Sequence, residues 1–194
     1  EDGIISGLVT ESKEGRQAIL GKQVIDATGD GDIAVRIGVP YSVGMTKDDL
    51  SVQHGSKVGV MTPMGVMFKV GNVDVKRLLE WAGEEPRHFR TQRFARLTYD
   101  EVMGCFEKGD MACCTIGTDF DDAPRGFQVY NLPTEGVVTL CCPFAHGDGT
   151  KVEDLTNAEV AMADIVHQWM ENIRKMPGFE LAFLLDCPQI GVRE

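Results

Sequence analysis

The stretch Val24-Ile25-Asp26-Ala27-Thr28-Gly29-Asp30-Gly31-Asp32 decides how this chain is read. Its apolar, β-branched opening predicts a strand. The glycines on either side of Asp30 permit backbone geometries that other residues resist. A strand therefore delivers a tight, acidic loop. Upstream, Ile4 to Thr10 and Arg16 to Leu20 are also extended in character, with Ser12 to Gly15 as a turn between them, so residues 4–28 read as a small β-meander of three runs. Downstream, a helical turn starting near Ile33 is stopped by Pro40.

Gly29, Gly31 and Ala34 also fit the pattern G-x-G-x-x-A, which after a strand would suggest a pyrophosphate at a helix N-terminus. Two features oppose that use. Asp30 and Asp32 put negative charge where phosphate oxygens would sit, and Pro40 leaves too short a helix for a full βαβ unit. Either aspartate could instead accept a ribose hydroxyl or cap the following turn. A calcium loop started at Asp30 fails at Ala34 and Val35.

Further along, Gly38 to Gly59 is irregular and suits a crossover between domains. Val60 to Val70 is apolar and Met-rich, and its Pro63 predicts an edge or strand entry rather than a central strand. Met61, Met64 and Met67 read as core filler. Helices are predicted over Asp74 to Trp81 and Thr98 to Glu107, the second with Thr98 and Glu101 at capping-box spacing. The basic stretch Arg87 to Arg96 between them reads as a solvated loop or helix face. Phe127 to Asn131 and Val137 to Cys142 form a hairpin pattern around Pro133 to Gly136. The clearest helix runs from about Asn157 to Lys175, opened by Thr156 and closed by Pro177-Gly178, with Val160, Ala163, Val166, Trp169 or Met170, and Ile173 as its buried stripe.

Composition narrows the function classes. Net charge is −11, from 19 Lys plus Arg against 30 Asp plus Glu, which repels nucleic acid and anionic membrane surfaces. Neither is an expected partner. No apolar run approaches the roughly 20 residues of a membrane span, and no signal-peptide pattern opens the chain. Four of the 6 cysteines fall in the vicinal pairs Cys113-Cys114 and Cys141-Cys142, unsuited to a disulfide framework or to four zinc ligands, so they read as reduced and no metal is expected. A cytoplasmic location follows. Glu1 in place of Met, with a strand-like run directly behind it, predicts a chain cut from a longer protein.

Four segments carry a resemblance. Val24 to Asp32 resembles the Ala-Thr-Gly strand end of the glutathione-reductase-like FAD fold. Met61 to Asp74, Asp148 to Glu159 and Pro177 to Glu194 resemble, in order and spacing, FAD-dependent oxidoreductases related to the fumarate reductase and succinate dehydrogenase flavoproteins. Between Gly83 and Val137 no family motif is found. The resemblance implies an FAD cofactor contacted by Ala27, Thr28, Gly29, Asp30 and Asp32, and hydride exchange between flavin and a small organic substrate. It implies Arg193 as a clamp on a substrate carboxylate, against the alternative of an ion pair with an acid such as Glu194. His146, on the loop Phe144-Ala145-His146-Gly147-Asp148-Gly149, is the candidate proton-transfer group, against that of a surface histidine. The family's G-x-G-x-x-G segment and its C-terminal flavin contact are absent from these residues, so the piece alone is expected to be inactive and the rest of the parent flavoprotein is its partner, with a homo-oligomer possible.

The expected architecture is α+β, with a mixed or antiparallel sheet and helices. Residues 1–37 would be part of an FAD-binding domain and 38–194 the substrate-side domain. One rival is a non-catalytic binding domain. The other is a thiol or zinc hydrolase using the cysteine pairs and His146.

Overall fold

A computed structural model describes residues 4–48, 57–84, 88–91, 97–117 and 126–192. The chain divides between Val60 and Met61 into two compact units. In the first, β1 (Gly7–Ser12) and β2 (Gly15–Leu20) pair antiparallel, Gly7 opposite Leu20 and Ser12 opposite Gly15. The third run expected at Lys22 to Thr28 is not a strand, and Ile25 is 90% exposed. With no strand beside it, its backbone takes no ladder partner. The short helix α1 (Asp32–Arg36) follows the acidic loop.

The second unit is one antiparallel sheet with helices, the α+β arrangement expected from the sequence. Its strands are β3 (Met64–Gly71), β4 (Phe89–Thr91), β5 (Cys113–Ile116), β6 (Phe127–Asn131), β7 (Val138–Ala145) and β8 (Phe183–Asp186). They lie in the order β4-β5-β6-β7-β3-β8. The basic stretch thus contributes the edge strand β4, while Arg87 and Gln92 to Arg96 lie outside the described residues. β3 is interior rather than at an edge. Pro63 stands just before Met64, so it removes no ladder donor from within the strand.

Among the described residues three helices complete the unit: α2 (Val75–Glu84), α3 (Tyr99–Lys108) and α4 (Val152–Ile173). Alternate residues of the strands, Val66, Phe68 and Val70 on β3 and Val138 and Leu140 on β7, join Leu78, Leu79, Val102, Met162 and Val166 of the helices in one buried cluster. Phe127 sits within it, edge-on to Trp169 and Phe179 at centroid distances of 5.5 and 6.2 Å. The opposite sheet face carries Met67, Lys69, Thr115, Gln128, Tyr130 and Thr139, half-buried or exposed. Met64 is core filler as expected, whereas Met67 lies on this second face, 41% exposed.

α4 begins at Val152, a turn earlier than Thr156 suggested. Thr156 does not cap; its hydroxyl donates back to the Val152 carbonyl at 2.9 Å inside the helix. The buried stripe is accordingly Ala158, Met162, Val166, Trp169, Met170 and Ile173, with Val160 and Ala163 on the outer face. The Thr98 capping box forms as read: Glu101 N donates to Thr98 Oγ1 and Thr98 N donates to the Glu101 carboxylate at 2.7 Å. Hydrogen bonds from Thr98 hold the Glu101 carboxyl below its usual range. Its contribution is therefore present above the ordinary carboxylate range and is lost as pH falls through the lowered value. Glu101→Ala and the wild type are expected to melt apart at neutral pH and to converge on acidification, as thermal scans across pH would record.

Candidate functional site

In the first unit the residues from Asp26 to Ala34 form a closed loop. Thr28 N and Thr28 Oγ1 both donate to Asp26 Oδ1, at 3.1 and 2.7 Å. Ala34 N donates to Asp26 Oδ2 at 2.8 Å, and Asp32 N donates to Thr28 Oγ1 at 2.9 Å. The backbone amides that open α1 are thereby taken by side-chain oxygens, and the pattern Gly29, Gly31, Ala34 offers no phosphate cradle there. Neither Asp30 nor Asp32 caps the turn; Asp26 and Thr28 do. Donors from Ala34 and then Thr28 hold the Asp26 carboxyl below its usual range.

Between those ties Gly29 and Gly31 adopt φ of 90° and 71°, a region in which other residues are strained. A Cβ at either would meet nothing within 4 Å, so the loop's backbone stands open. Ala27, Thr28, Gly29, Asp30 and Asp32 are exposed, and Gly31 is half-buried. Such a loop suits a ligand bearing hydroxyls, which the Asp30 and Asp32 carboxylates can accept, better than one presenting phosphate oxygens.

In the second unit, His146 lies just past β7, whose Ala145 pairs with Met64 and whose Phe144 pairs with Gly65. A Cβ on Gly65 would fall 2.6 Å from the Phe144 ring, so only glycine lets that ring lie over the strand. Gly65 is also joined to Gly191 by a pair of backbone hydrogen bonds of 3.0 and 2.7 Å. Ile190 N donates to Glu159 Oε1 at 3.1 Å, and Val192 lies against Gly149. The end of the described chain and the His146 loop therefore meet at the Met64 end of β3. Arg193 itself lies outside the described residues.

The His146 loop is fixed on its far side. Asp148 N donates to Asp154 Oδ2 at 2.7 Å, and Thr150 N and Oγ1 donate to Asp148 Oδ1 at 3.0 and 2.6 Å. This Asp-x-Thr turn repeats the one at Asp26-Ala27-Thr28, and each precedes a helix. Hydrogen bonds from Thr150, and then the Lys151 ammonium, keep the Asp148 carboxyl below its usual range. His146 is exposed and free to meet a small molecule.

The thiol rival has no support in the geometry. Cys114 is buried, and burial pushes its thiol up to about 12, so it carries no thiolate near neutral pH. Cys113 and Cys114 point to opposite sheet faces, as neighbours on a strand must. Among the described residues no group of three or more His, Cys, Asp or Glu could hold a metal ion. A groove of about 1460 Å³ opens at the other end of β3, lined by Asn72, Lys108, Glu135 and Leu181 among others, with Arg77 there already paired to Glu180 at 2.9 Å. It lies at the end of β3 away from the Met64–Ala145 pair that precedes His146.

Compared with known families, residues 1–194 match the one described as FAD dependent oxidoreductase. The chain belongs to that family. No curated protein and no solved structure matches the chain. FAD is the family's cofactor. No helix among the described residues is long and apolar enough to cross a membrane.

Asp26 and Asp154 are the residues that sequence reading passed over. The first had a visible signal, since Asp-x-Thr is a local turn in which the carboxylate takes both the Thr amide and its hydroxyl. Asp154 had none, because its partner amide is set only when the Gly147 loop folds back onto α4.

Proposed function

We propose that this chain is the part of a cytoplasmic flavoprotein that contributes one loop to FAD and the substrate-side sheet, and that the whole enzyme exchanges a hydride with a small organic acid. Kinship with the glutathione-reductase-like fold and with the fumarate reductase and succinate dehydrogenase flavoproteins is part of this reading. The observation that carries it is the loop from Asp26 to Ala34, tied at both ends and bare in the middle, in a chain of an FAD family.

FAD, when bound, supplies the hydride acceptor or donor. Asp30 and Asp32 would accept hydrogen bonds from hydroxyls of the cofactor, and the backbone of Ala27, Thr28 and Gly29 would help to hold it. Thr28 acts through its main chain, because its hydroxyl already donates to Asp26 and accepts from Asp32 N. His146 moves the proton that accompanies hydride transfer, and Arg193 pairs with the substrate carboxylate, fixing the carbon that reacts. The remainder of the flavoprotein completes the cofactor site, and a homo-oligomer of it is part of the same reading.

Visible absorption of the full-length protein tests the reading. An oxidised flavin band that fades anaerobically when members of a panel of small carboxylic and hydroxy acids are added is the expected outcome. A folded, colourless protein that takes up no added FAD would favour the binding-domain alternative instead.

A further inference from the structure

We infer that Asp26 is a positioning residue for the cofactor, a latch whose carboxylate joins the entry of the Gly29-Asp30-Gly31 loop to its exit and so sets the backbone against which FAD lies. The inference rests on the reading of that loop as a cofactor contact. The two carboxylate oxygens divide the work. Oδ1 accepts Thr28 N and Thr28 Oγ1, which fixes the chain entering the loop. Oδ2 accepts Ala34 N, in the first turn of α1. Thr28 Oγ1 closes a second tie by accepting Asp32 N.

Packing does not hold the intervening loop. No atom lies within 4 Å of where a Cβ would stand on Gly29 or Gly31, and α1 has no buried residue. Two glycines at positive φ give the segment wide freedom, and the hydrogen bonds to Asp26 and Thr28 restrict it. Freedom of that kind must be lost on binding, so a loop already restrained binds more tightly than a loose one. An amide in place of the carboxylate cannot serve, since its NH2 group would face either Thr28 or Ala34, both of which donate. The carboxyl's preference for the ionised form agrees with this, as the same donors produce it.

The test uses the full-length holoprotein and compares FAD dissociation constants, from the recovery of flavin fluorescence, with the visible circular dichroism of the bound flavin. Asp26→Asn and Thr28→Val are each expected to weaken FAD about tenfold or more and to change the flavin dichroism, the loss expected for hydrogen bonds to a charged group. Thr28→Ser keeps the hydroxyl and is expected to restore both readouts to within about twofold. Asp30→Asn and Asp32→Asn test the cofactor contact itself. If these two weaken FAD while Asp26→Asn binds it as the wild type does, the latch is overturned and the contact stands. Wild-type affinity in all of them overturns both. A purely structural Asp26 would lower the melting temperature yet leave the folded fraction with normal affinity and dichroism. Should Asp26→Asn fail to fold, the threonine pair decides alone: equal affinities for Thr28→Val and Thr28→Ser overturn the latch.

Discussion

Replacing His146 by glutamine is expected to slow reduction of the bound flavin by substrate about 10²- to 10⁴-fold, the usual contribution of a positioned proton-transfer group. Three features of the structure lead to that expectation. His146 is exposed, it follows directly on the Ala145–Met64 pair that ends the ladder between β7 and β3, and the loop beyond it is tied to α4 through Asp154 and Asp148. An imidazole can accept and release a proton, whereas glutamine keeps much of the size and polarity without that ability. Anaerobic stopped-flow measurements at saturating substrate would report the rate, and the flavin absorbance of the variant would show that cofactor binding is retained. A rate within about twofold of wild type would make His146 a surface histidine and nothing more.

The second large effect belongs to the core. Phe127→Ala is expected to destabilise the second unit by about 3–5 kcal/mol, the range found when a buried aromatic side chain is truncated. Phe127 is 1% exposed and meets both Trp169 of α4 and Phe179 of the turn that follows it. Its loss opens a void that these two rings cannot fill without giving up their contacts with the sheet. Chemical denaturation followed by tryptophan fluorescence would measure the loss. Phe127→Leu, which refills part of the volume, is expected to recover some of it.

Much of this was legible in the sequence, and what was not has physical causes. The Phe127 to Cys142 hairpin and the Thr98 capping box announced themselves because turn chemistry and caps act between near neighbours in the chain. The strand predicted over Lys22 to Thr28 failed for the opposite reason: its β-branched residues set a propensity, but a strand exists only with a partner. The stripe of α4 was misplaced at its start because Val160 is apolar yet faces outward, while Ala158 and Met162 meet the sheet. The interior position of β3 could not be read at all, since strand order is decided by pairings between distant segments. At the site, the open acidic loop and the His146 loop were both visible as glycine-rich breaks after apolar runs. Of the groups that hold them, Asp26 was legible as an Asp-x-Thr turn, whereas Asp154 meets the Asp148 amide only once the loop has folded back onto α4.

The place of β3 has a consequence for how the chain comes into being. It is the first strand of its sheet to leave the ribosome, yet both of its neighbours, β7 and β8, are made much later. Until Val138 to Ala145 has been synthesised, Met64 to Gly71 is an apolar segment with two open edges, exposed to other nascent chains and to chaperones. Assembly of the sheet thus waits on distant closure, a slow route by the entropy of the loop involved. Truncation before Phe183 would leave that vulnerability permanent on one side, with Lys69, Val70 and Gly71 facing no strand.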